Sequence, residues 1–167
     1  MKIYNSLSLG LCCLGLVPGV QGSVCLASGH EHPAQVHVWQ ENLPDKVVYH
    51  YRVSNLADRV SIPTVVVGYD YYHGVPVLTS RPARIRSPQG WTGQIISTEE
   101  SHNVEVEWSR NDSSHSIQPG LELRGFALEV PTANDSYRSF YTLYFGDGRP
   151  ASSKLLRDTA HRREGIR

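Results

Sequence analysis

Three histidines, His30, His32 and His37, fall within eight residues in "HEHPAQVHVW" (30–39). Imidazole is a common ligand for copper, zinc and nickel. Cleavage of a leader after Gly29 would leave a chain beginning His-Glu-His. Its free amine, two deprotonated amides and the third-position imidazole of His32 can make a square-planar Cu(II) or Ni(II) site. His30 can instead chelate through its own amine and ring. Cleavage after Gly22 removes that backbone site and leaves a loose histidine pair in a solvated lead. His30, His32 and His37 are therefore the candidate metal ligands. Cu is the alternative to having no cofactor at all.

A second cluster is "GYDYYHGV" (68–75). Rigid aromatic rings lose little entropy on binding, so exposed tyrosines beside an aspartate suit recognition of a glycan or a protein. The plain structural alternative is a hairpin end in which the rings pack and Asp70 bonds the turn. Trp39 shares a face with His37, opposite Val36 and Val38, and is the tryptophan expected to be exposed. Trp39, Asp70, Tyr72 and His73 are the candidate ligand-binding residues. Glu99 and Glu100 are adjacent, so on a strand they point to opposite faces and cannot pair as acid and base. No nucleophile elbow, phosphate loop or zinc-protease motif occurs. No enzymatic activity is expected.

The elements that must carry these residues read as β almost throughout. "VVYHYRVSN" (47–55) alternates, with Val47, Tyr49, Tyr51 and Val53 on one face and His50, Arg52 and Ser54 on the other. "TVVVGYDYY" (64–72) sets Val65, Val67, Tyr69 and Tyr71 on one face. "NVEVEWS" (103–109) turns Val104, Val106 and Trp108 inward against Glu105 and Glu107. "QVHVWQ" (35–40) and "SFYTLYF" (139–145) read as the first and last strands. In "LELRGFALEV" (121–130) the apolar parity switches at Gly125, which predicts a β-bulge there. Trp91, set by the turn "SPQG" at a strand entry, is expected to cap one end of the core, its N–H reaching a loop carbonyl.

Turn residues separate these runs at short intervals, and the body shows no amphipathic helix. Together these features predict a single antiparallel β-sandwich of about seven strands. The start, "MKIYNSLSLGLCCLGLVPGVQG", has the basic residue, short apolar run and small residues of a secretory signal. The expected organisation is a signal peptide over 1–22 (alternative end at 29), a lead over 23–34, the sandwich over 35–148 and a basic flexible tail over 149–167. A secreted or periplasmic protein is expected. After signal removal Cys25 is the remaining thiol, which leaves no internal disulfide.

Charge is unevenly placed. Residues 23–148 carry 9 Lys/Arg against 14 Asp/Glu, and residues 149–167 carry 6 against 2. An acidic body does not suit a phosphate backbone, so no nucleic-acid partner is expected. The tail has no apolar run long enough to cross a membrane.

The succession "YHYRVSN", "GYDYY", "SPQGW", "VEWS" and "IQPGLELRGFALEVP" resembles a loose group of secreted bacterial β-sandwich modules, over roughly residues 46–145. The resemblance implies an immunoglobulin-like fold and carries no catalytic residues across. The reading is an exported, non-catalytic module for binding or structural interaction, with a protein or glycan partner. A copper-binding secreted protein and a carbohydrate-binding module are the alternatives.

Overall fold

The computed structural model describes residues 22–28, 33–97 and 102–152. Two five-stranded antiparallel sheets form its body. With strands numbered along the chain, the first sheet is ordered β1 (Gly22–Ser28), β2 (Pro33–Asn42), β3 (Val47–Asn55), β10 (Glu122–Val130) and β7 (Arg84–Arg86). The second is ordered β12 (Pro150–Ser152), β11 (Tyr141–Tyr144), β4 (Thr64–Val67), β9 (Val104–Arg110) and β8 (Trp91–Ser97). A hairpin of β5 (Tyr69–Asp70) and β6 (Val75–Pro76) stands apart from both.

The wiring identifies the fold class. The chain crosses between sheets from β3 to β4, returns to β7 after the β5–β6 hairpin, crosses again to β8, returns from β9 to β10 and crosses last from β10 to β11. This places β2-β3-β10-β7 in the positions of strands A-B-E-D, and β12-β11-β4 in those of G-F-C, of an immunoglobulin-like sandwich. The hairpin β8–β9 adds two strands beyond the C position.

Alternation places the core. Tyr49, Tyr51 and Val53 of β3 are buried, while His50, Arg52 and Ser54 between them are half-buried on the outer face. Val104, Val106 and Trp108 of β9 are buried in the same way. The two core tyrosines also fasten the β10–β11 crossover. Tyr49 Oη donates to Asn134 O at 3.0 Å and Tyr51 Oη to Tyr137 O at 2.8 Å. The bulge expected at Gly125 is present. Leu123 pairs with Val53 and Phe126 with Tyr51, so Arg124 and Gly125 together oppose Arg52. Gly125 has φ +101°, and beyond it Phe126, Leu128 and Val130 fill the core.

Trp108 falls as its parity predicts and Trp91 as its turn predicts, while Trp39, expected to be exposed, is only partly so. Trp108 is fully buried, and its indole N–H donates across the sandwich to Arg86 O at 3.1 Å. Trp91 is 5% exposed, stands edge-on to Phe126 at 5.2 Å and donates to His115 O at 2.9 Å. It closes one end of the core. Trp39 is half-buried on the outer face of the first sheet.

Four expectations need correction. The lead over 23–34 contributes an edge strand, since β1 pairs with β2 from Gly22↔Trp39 to Ser28↔Pro33. The tail begins with a strand, because β12 pairs with β11. The run 64–72 is not one strand. Gly68, at φ +82°, turns the chain, and a Cβ there would sit 2.1 Å from Leu78 Cγ. Tyr69 and Tyr71 therefore leave the core face of Val65 and Val67. Finally, β11 starts at Tyr141, because Ser136–Ser139 form a helical turn.

Candidate functional site

The hairpin β5–β6 gathers three of the four expected ligand-binding residues. Asp70 holds its turn. The carboxylate accepts the backbone N–H groups of Tyr72 (3.1 Å) and His73 (3.3 Å), and His73 Nδ1–H at 2.7 Å. The Asp70 carbonyl accepts Gly74 N–H at 2.8 Å, and Gly74 has φ +67°. Burial pushes the Asp70 carboxyl up, but the hydrogen bonds from His73 and Tyr72 outweigh it and hold the group below its ordinary value. Asp70 and the His73 imidazole are thus turn-builders. What they present is apolar: Tyr71 is 43%, Tyr72 51% and Val75 46% exposed. The two phenol rings stand edge to face at 6.0 Å.

Trp39 lies elsewhere. It pairs across the strands with His50 and stacks on that imidazole at 5.2 Å and 12°, with His37 on its other flank at 5.5 Å. Burial, then the charges of Arg52 and Arg124, lower the His37 pKa. The indole thus lies between two imidazoles on the outer face of the first sheet, stacked on His50 and tilted against His37. The hairpin follows β4 of the second sheet, whereas Trp39 lies on β2 of the first. His30 and His32 lie outside the described residues, as do Glu99 and Glu100. Among the described residues no three His, Cys, Asp or Glu side chains converge to hold a metal ion.

Two groupings were not anticipated as sites. Glu129 points outward from β10 yet is only 5% exposed. Lys46 Nζ donates to it at 2.7 Å and Arg86 Nε at 2.9 Å, with a further bond from Arg86 Nη2. The bonds from Lys46 and then Arg86 depress its carboxyl to about 2. This trio bridges β7, β10 and the β2–β3 turn at the sandwich surface.

The second grouping is on the outer face of the second sheet. Glu105 and Glu107 share the outward parity of β9 and are both half-buried. Glu105 Oε2 is buried with no hydrogen-bond partner among the described residues. Burial, then the charge of Glu107, raises Glu105 to about 7. Burial also raises the Tyr144 phenol, which feels Tyr69, Tyr71, Glu105 and Glu107 in turn. The Tyr144 phenol thus shares an electrostatic environment with these two carboxylates and two further phenols. The glutamates' shared face was legible in the alternation of β9. The tyrosines come from distant segments and left no local signal.

No helix among the described residues is long and apolar enough to cross a membrane. The chain matches no protein-family model and no curated protein. Among solved structures it is similar to the crystal structure of an uncharacterized protein from Nocardia farcinica with an immunoglobulin-like fold. The identity is 18% and the TM-score 0.45, over 80% of this chain and 81% of that one.

Proposed function

We propose that this chain is an exported, non-catalytic recognition module whose contact surface is the tip of hairpin β5–β6. One observation carries the reading: Tyr71, Tyr72 and Val75 are exposed together on a five-residue reversal whose backbone Asp70 fixes. A surface that is already ordered loses little conformational entropy on binding, and tyrosine adds large contact area with few torsions. The partner class is a protein or glycan surface with an apolar ridge or sugar face. Export rests on the leader-like sequence of residues 1–22.

The test captures ligands from the cell-surface fraction of the producing organism and from an immobilised glycan panel. The baits are the exported protein, a Tyr71→Ser/Tyr72→Ser variant and Trp39→Ala. A specific ligand retained by Trp39→Ala and lost by the hairpin variant supports the proposal. A ligand retained by the hairpin variant, or lost on changing Trp39, overturns it.

A further inference from the structure

Strand β8 ends the second sheet, and no strand lies beside its outer edge among the described residues. Three bonds fix which of its backbone groups face that edge. Arg110 N–H donates to Pro63 O and Val104 N–H to Leu78 O, both on the β4 side of β9. Asn111 N–H, of the opposite phase, donates to Gly90 O at the entry to β8. The even residues of β9 therefore bond towards β4 and the odd ones towards β8. Their partners are Thr92, Gln94 and Ile96, which face Ser109, Glu107 and Glu105. The N–H and C=O groups of Gly93, Ile95 and Ser97 thus point away from the sheet. No backbone bond among the described residues uses those of Gly93 or Ile95.

The other edges of the two sheets are protected. β7 is three residues long and carries Arg84 and Arg86. β1 and β12 lie against each other. β8 runs for seven residues, "WTGQIIS", with no charge, no proline and no bulge in its pairing. A strand edge of this kind is a template for another strand.

We propose that β8 is a dimer interface, in which a second copy of this chain lays its own β8 antiparallel about Gln94 and the two five-stranded sheets become one. The strand is self-complementary in that register. Gly93 falls opposite Ile95 of the second copy, Thr92 opposite Ile96 and Trp91 opposite Ser97, so all seven residues are matched. Gly93 and Ile95 exchange paired backbone bonds on either side of the axis, because both direct their groups outwards. Trp91 N–H is held by Pro88 O at 3.1 Å, while its carbonyl faces the edge and can accept Ser97 N–H. On the inner face, glycine opposite isoleucine leaves room for the larger side chain. On the outer face, exposed Gln94 meets its own copy and no charges oppose each other. Glu107, beside Gln94, lies three strand spacings or about 14 Å from its copy, beyond a screening length of about 8 Å. The inference is independent of the hairpin tip as a recognition surface.

The test joins sedimentation equilibrium to amide hydrogen exchange on the full exported chain. The expected result is a dimer whose Gly93 and Ile95 amides exchange about tenfold more slowly once about nine-tenths of the chains are paired. Dilution to monomer should restore their fast exchange, while the Gln94 amide, bonded within the sheet, stays protected throughout. Gln94→Cys checks the register. A non-hydrogen-bonded antiparallel pair sets its Cα atoms about 4.5 Å apart, within reach of a disulfide. Mild oxidation should therefore link two Gln94→Cys chains through position 94, as read by peptide mapping. Thr92→Cys should not link, since position 92 of the second copy lies four residues along the strand, about 13 Å away. Three results overturn the proposal. In the first, the chain stays monomeric up to about 1 mM; if a foreign extended segment then protects Gly93 and Ile95, the edge serves another protein. In the second, the chain dimerises with both amides still in fast exchange. In the third, folded Gln94→Cys chains do not link at that position.

Discussion

Trp91 tests the packing account most directly. With 5% of its surface exposed, Trp91→Ala returns nearly the whole indole contact to water. An area of about 200 Å² at about 25 cal/mol per Å² corresponds to about 5 kcal/mol. That figure is an upper bound, because the unfolded chain already shields part of the ring. The edge-to-face contact with Phe126 and the bond to His115 O each add about 1 kcal/mol. Against these, Trp91 sits at the rim, beside half-exposed His115, so water can enter the space and relax it. The expected loss is about 3–4 kcal/mol. Trp91→Phe keeps the ring and loses the N–H; the His115 carbonyl can turn to water, so its loss is about 1–2 kcal/mol. Urea unfolding followed by far-UV circular dichroism measures both, without relying on tryptophan emission. If Trp91→Ala loses less than about 1 kcal/mol at unchanged denaturant slope, the ring does not close the core and this reasoning fails.

Glu105 is raised from the ordinary 4.5 to about 7, so the folded state holds its proton more tightly. The associated stability is present below about pH 4.5 and is lost as pH rises through about 7. The full shift corresponds to about 3 kcal/mol; solvent screening at a half-exposed position reduces it to about 1 kcal/mol. Glu105→Gln should match the natural protein at pH 4 and exceed it by about that amount at pH 8. The comparison is by urea midpoint in about 1 M salt, which screens exposed ion pairs. Equal midpoints at pH 8 would count against the shift. Glu129 has the opposite sign. Held at about 2 by Lys46 and Arg86, it contributes stability above about pH 4.5 that is lost as pH falls towards 2. Glu129→Gln should flatten the acid limb of the stability curve, and an unchanged limb would refute the role of the trio. Gly93 faces Trp108, and a Cβ there would meet Ile85 Cγ2 at 2.5 Å and Trp108 Nε1 at 2.7 Å. Gly93→Ala should cost about 1–3 kcal/mol by pushing the indole off Arg86 O, a loss readable in its melting temperature.

Sequence alternation alone determined which side chains of β3 and β9 are buried, because a strand's period of two is local and needs no partner to be read. The same logic located the bulge at Gly125 and separated Trp108 from Trp39; Trp91 was placed by the turn that precedes it. Chain chemistry also gave the hairpin turn at Asp70–Gly74. The tertiary structure decided what depends on distant segments. Gly68 breaks its strand because Leu78, ten residues on, occupies the space a side chain would need. Residues 22–28 become a strand because β2 offers them an edge, although their own pattern is indistinct. Glu129 is neutralised by residues 43 and 83 positions away, and Glu105 is raised by its burial in the folded sheet. Such long-range pairings follow from sheet order and crossover wiring, which no local periodicity records.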